Sequence, residues 1–155
     1  EGNYKIALDI IKKYNIPVSI YVIDNCVGKE GYMNWEQIKE LDETGLVTIN
    51  THGKEHYNFD QKETNEAVQD VKYAHSQIEE HLGKKQIKVF TYPCGLTKEE
   101  TRRELENAGF IQNLTDNKIN KSKELNLYGL HRCYALEDNI WKMMLKVKYR
   151  SIRYD

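Results

Sequence analysis

The sequence predicts an α/β fold whose strands run parallel, in a barrel or a doubly wound sheet. Short apolar runs rich in β-branched residues recur along the chain, as at Pro17–Ile23, Leu46–Asn50 and Ile87–Tyr92. Between them lie stretches with apolar residues at helical spacing, several opened by capping residues and closed by glycine. Alternation of this kind feeds parallel strands through helical crossovers.

Each element has its own signal. In Tyr4–Tyr14, Ile6 or Ala7, Ile10 or Ile11, and Tyr14 fall at helical spacing. Val18–Ile23 follows Pro17 as a buried strand. Asp24, Asn25, Gly28 and Gly31 mark a loop. Asn34 and Gln37 have the spacing of a capping box, ahead of a helix through Trp35, Ile38 and Leu41 that stops near Gly45. After the strand 46–50, the longest helix is expected over Thr64–Leu82, with Val68, Val71, His75, Ile78 and Leu82 on one face and Gly83 as its stop. A strand over 87–92 follows. Thr97 and Glu100 suggest a second capping box, before a helix ending near Gly109. Strands are expected over 110–115 and 128–134, a polar loop over 116–126 between them, and a last helix over Asp138–Val147.

Composition narrows the function classes. A net charge of −1 on 155 residues offers no field to hold nucleic acid or an anionic membrane. No apolar run has the length of a membrane span. The chain opens on Glu1 within a helix lead-in, so further residues upstream are expected. Cys26, Cys94 and Cys133 are distant and odd in number, which suits buried or half-buried free thiols better than a zinc knuckle or a disulfide framework.

Three segments could carry chemistry, each at a strand end, where α/β folds build their sites. The first is Thr51-His52-Gly53-Lys54-Glu55-His56. Imidazoles at i and i+4 can reach one metal ion, and zinc accepts neutral nitrogen ligands. With 5 histidines in the chain a chance pair at this spacing arises roughly 0.16 times, so the motif needs company. Gly53 stands where a thermolysin-type metalloprotease helix needs glutamate. The second is Phe90-Thr91-Tyr92-Pro93-Cys94-Gly95, whose turn could aim backbone N–H groups at an oxyanion or serve only as a turn. The third is Leu130-His131-Arg132, where His131 is either a general acid or a surface residue. His75 belongs to the apolar face of the long helix and His81 to its solvated end; neither is expected to bind metal.

In order and separation these segments resemble the polysaccharide deacetylase family, also called the NodB-homology or carbohydrate esterase 4 family. Ala7–Tyr14, Ile16–Val18, Tyr21-Val22 and Gly31–Ile38 resemble its first helix, second strand and following helix. His52-Gly53-Lys54-Glu55-His56 resembles its His-Ser/Thr-x-x-His motif, Phe90–Gly95 the Phe-x-Tyr-Pro-x-Gly loop of one branch, and Leu130–Arg132 that branch's Leu-x-Arg segment. The likeness extends over residues 4–136.

The resemblance implies a single domain over residues 1–155, a distorted (β/α) barrel incomplete at its N-terminus. It implies a divalent metal, most often zinc, on His52 and His56. The substrate would be an N-acetylated amino-sugar polymer outside the cell or in its envelope, losing acetate by hydrolysis. The backbone N–H of Tyr92 would join the oxyanion site, and His131 stands as the candidate acid. A catalytically silent, glycan-binding relative is the other reading. The family's Thr-Phe-Asp-Asp-Gly motif, source of the base and the third ligand, would belong just upstream of Glu1; the 155 residues hold no Asp-Asp pair. Gly53 replaces the motif's Ser/Thr, Thr91 stands where many members have arginine, and His131 follows Leu130 directly instead of completing a Leu-x-His motif. An incomplete barrel would leave an edge through which two copies could pair.

Overall fold

The computed structural model describes residues 2–114, 127–131, 139–142 and 144, and for residues 3, 114 and 131 the backbone alone. Five parallel strands form one sheet in sequential order: β1 Val18–Val22, β2 Val47–Thr51, β3 Val89–Thr91, β4 Ile111–Leu114 and β5 Leu130–His131. Sequential parallel order needs a crossover after every strand. Helices α2 (Trp35–Glu43), α3 (Thr64–Leu82) and α4 (Glu99–Asn107) lie within the first three. Among the described residues β1 and β5 are the sheet's two edges, so the sheet is open.

The chain enters through a helical stretch, wound in wide turns over Asn3–Ala7 and as an α-helix, α1, over Leu8–Tyr14. Asn15 ends it in the left-handed region at φ 52°, its amide returning to the last helical carbonyls. Asparagine tolerates that conformation better than most residues. α2 carries the expected capping box: Asn34 Oδ1 accepts from Gln37 N at 2.9 Å, and Gln37 Oε1 accepts from Asn34 N at 3.0 Å. α3 has the predicted bounds, stopped by Gly83 at φ +66°.

α4 departs from expectation. It starts at Glu99 with Lys98 as its N-cap, and no side chain caps it. The Thr97–Glu100 box therefore does not form; the Thr97 hydroxyl turns to the Lys98 carbonyl at 3.3 Å. The strands 87–92 and 128–134 shorten to Val89–Thr91 and Leu130–His131, with residues 132–134 outside the described set. The polar loop 116–126 lies outside it, and of the last helix only residues 140–142 and 144 are described, as helical.

One face of the sheet is apolar. Ile20, Val22, Val47 and Ile49 pack with Ile38 and Leu41 of α2, Ile78 and Leu82 of α3, and Leu8 and Ile11 of α1. Phe90 and Tyr92 pack with Phe59, Val68, Val71, Leu105 and Phe110. Alternation along each strand sends Ser19, Tyr21, Thr48, Asn50, Thr91 and Asn113 to the other face. That face is tied together where Asn113 Nδ2 donates to the Tyr21 hydroxyl at 2.8 Å and to Thr91 Oγ1 at 3.2 Å.

Candidate metal centre

Parallel strands bring their C-terminal ends to one side of the sheet. His52 follows β2 there, Tyr92 follows β3, and His131 is the last residue of β5. His52 N–H extends the ladder to the Val22 carbonyl at 2.8 Å, so the backbone of the first histidine is fixed. Its ring is fixed too: Nδ1 lies 2.6 Å from the carbonyl oxygen of Thr91. A carbonyl only accepts, so Nδ1 carries the hydrogen, and the lone pair of the neutral ring is on Nε2. Holding one ring nitrogen on a backbone carbonyl while the other faces a metal is the usual support for a histidine ligand.

Beyond His52 the chain turns sharply at Gly53, with φ +90°. Gly53 N donates to Thr51 Oγ1 at 3.0 Å; Asp24 N and Asn25 N, just after β1, donate to the Gly53 and Lys54 carbonyls at 3.1 and 3.0 Å. The turn returns His56 to His52: their ring centroids are 5.3 Å apart at an interplanar angle of 63°. His52 is half-buried and His56 exposed, so the pair opens to solvent on one side. Below β1, a cleft of about 570 Å³ lined by Ile10, Ile16, Ser19, Tyr21 and His52 runs along the sheet's open edge. Burial pushes the Asp24 carboxyl, beside the turn, above its usual range.

Two imidazoles this close suit a divalent ion such as zinc. Catalytic zinc usually takes three protein ligands. Among the described residues no group of three histidine, cysteine or acidic side chains is placed to hold a metal, so the pair supplies part of a ligand set.

The other predicted residues fall differently. Tyr92 and Pro93 are both buried, and the Tyr92 ring packs against Phe59 and Phe90. The Tyr92 hydroxyl donates to Gln112 Oε1 at 2.5 Å, and its backbone N–H is held by the Asn113 carbonyl at 3.3 Å, a long bond that an oxyanion would have to displace. β3 reaches the site through the carbonyl of Thr91. His131 ends β5, the outer strand farthest from β1, paired in register with Leu114; Arg132 lies outside the described residues. His75 is buried against Phe110, and exposed His81 stacks on Trp35 at 4.1 Å. Cys26 is half-buried as expected, Cys94 is exposed at the tip of its turn, and Cys133 is outside the described residues. No described helix is long and apolar enough to cross a membrane.

A family profile for polysaccharide deacetylases matches residues 1–112. A poly-β-1,6-N-acetyl-D-glucosamine N-deacetylase of Staphylococcus aureus is 29% identical over 122 residues, spanning 70% of this chain and 42% of its own. The Streptococcus pyogenes deacetylase PplD, solved with acetate, superposes with a TM-score of 0.82 at 20% identity, over 94% of this chain and 64% of that one. BA3943 of Bacillus anthracis, described as a pseudoenzyme of carbohydrate esterase family 4, superposes at 0.60 with 16% identity, over 68% of this chain and 36% of that one. At such identities the structural likenesses show the fold alone: an α/β fold with a parallel sheet of the deacetylase barrel type. The chain spans less than half the length of the curated relatives it matches. By its family profile, the chain belongs to the polysaccharide deacetylase family.

Proposed function

We propose that this chain carries the metal-binding part of a hydrolase that removes N-acetyl groups from an amino-sugar polymer at or outside the cell envelope. The observation that carries the reading is the His52–His56 pair, brought together by the Gly53 turn and oriented by the Thr91 carbonyl. A divalent ion such as zinc would be held by these two imidazoles with a carboxylate from beyond the described cluster. When bound, such an ion polarises an amide carbonyl and lowers the pKa of a coordinated water. This chain's own contribution is placement. The Thr91 carbonyl keeps the His52 proton on Nδ1, the turn holds His56 at reach, and the cleft along β1 gives the site an approach. His131 is the candidate proton donor to the leaving amine, by its position at the shared strand-end edge.

The test is acetate release from poly-N-acetylglucosamine and chitin oligomers by a protein of the relatives' full length, alongside its metal content. His52→Ala and His56→Ala are each expected to abolish both. Metal binding without acetate release from any N-acetylated glycan would favour the second reading, a glycan-binding relative without activity. Two observations support that alternative: no third ligand accompanies the pair among the described residues, and the fold is shared with a pseudoenzyme.

A further inference from the structure

We infer that Asp70 is the positioning residue of the His52–His56 turn, and that its carboxylate adds to the positive φ of Gly53 in keeping a side chain out of position 53. The inference rests on reading the histidine pair as a metal site, but its geometry stands apart from the metal. Asp70 lies on α3, 14 residues beyond His56 in the sequence. Its Oδ1 accepts the N–H of Lys54 at 2.8 Å. A Cβ on Gly53 would come 2.9 Å from that same oxygen and 3.4 Å from the ring of Phe59. Phe59, fully buried among Tyr57, Phe90 and Tyr92, bounds the same space on its other side.

Lys54 sits midway between the two histidines. Its carbonyl is held by Asn25 N and its amide by Asp70, so the turn is gripped from the β1 side and from the α3 side at one residue. Without Asp70 only the β1 side remains. A half-buried carboxylate costs stability, and burial pushes the Asp70 carboxyl up accordingly. The hydrogen bond from the Lys54 amide works against that cost. An aspartate kept in such a place is accounted for by what it holds.

The test uses Asp70→Ala, Asp70→Asn, Gly53→Ser and the double variant Gly53→Ser/Asp70→Ala of this chain. Two quantities are followed: hydrogen exchange of the Lys54 amide, which needs no metal, and cobalt(II) affinity from the visible absorption of the bound ion. Asp70→Ala is expected to speed Lys54 exchange about tenfold or more. It should weaken cobalt binding by roughly tenfold or more, in the range seen when a ligand's support is lost. Asp70→Asn keeps an acceptor oxygen and should restore most of both. Gly53→Ser should weaken cobalt binding more in the native background than beside Asp70→Ala, because the clash is then gone and only the backbone strain remains. If Asp70→Ala does not fold, Asp70→Leu, of similar shape and without an acceptor, replaces it. Unchanged Lys54 exchange without the Asp70 carboxylate would overturn the inference, as would strictly additive effects at positions 53 and 70. Failure of the native chain to bind cobalt would instead count against the proposed function, and Lys54 exchange would still decide the role of Asp70.

Discussion

At the scale of single residues, His75 combines burial with a titratable ring. It is 5% exposed, lies against Phe110, and has Glu79 Oε1 at 3.5 Å. Burial lowers its pKa below the usual 6.5 and outweighs the pull of Glu79. The folded state thus holds His75 neutral while the unfolded chain protonates it, so stability falls as pH drops from about 6.5 toward the folded pKa. Asp24 and Asp70, raised by burial, act in the opposite sense nearer the ordinary carboxylate range. His75→Gln should therefore flatten the loss of urea midpoint between pH 7 and pH 5.5; an unchanged slope would contradict the assignment. Tyr92→Phe removes the buried partner of Gln112 Oε1 and should cost about 1–3 kcal/mol by urea denaturation. His75 was legible from its place on the helical stripe, and the histidine pair from its spacing together with the order of the other motifs. Asp70 was not, since a lone aspartate on a helix gives no sign of a partner 16 residues earlier. Gly53 read as a departure from its motif, and its reason exists only in three dimensions.

At the scale of elements, the helices were legible where local signals agree. Asn34 and Gln37 form the predicted box, and Asn34→Ala should destabilise the fold by about 1 kcal/mol. Thr97 and Glu100 have equivalent spacing but no box, because α4 begins one residue later than Thr97 capping would require. Thr97→Ala should therefore change stability by less than about 0.5 kcal/mol. A matching loss for the two variants in thermal melts would argue against the observed start of α4. Strand positions were legible from apolar runs, but their lengths were not. Residues such as Ile87 continue the run in sequence while standing 65% exposed, outside β3. The Tyr92 motif locates a strand end but does not reveal that the ring turns into the core and that the amide reaches the Asn113 carbonyl at 3.3 Å.

At the scale of the whole molecule, the parallel order of the strands does what no single motif does. It collects β2, β3 and β5 strand ends on one side, so segments 40 to 80 residues apart share an edge. That was readable from the order of the motifs, because right-handed parallel crossovers allow few alternatives. The open β1 edge, with Ile10 and Ile16 exposed beside it, is expected to support concentration-dependent pairing of copies; a single monomeric species at all concentrations in sedimentation would exclude it. The central claim, that His52 and His56 together hold one divalent ion, is tested most directly by following the imidazole ¹⁵N signals during zinc titration. The His52 and His56 signals should move together and saturate at one zinc per chain, with His52 keeping its proton on Nδ1 and the signals of His75 and His81 unmoved. Signals of His52 and His56 that stay still, or that respond no more than those of His75 and His81, would contradict it.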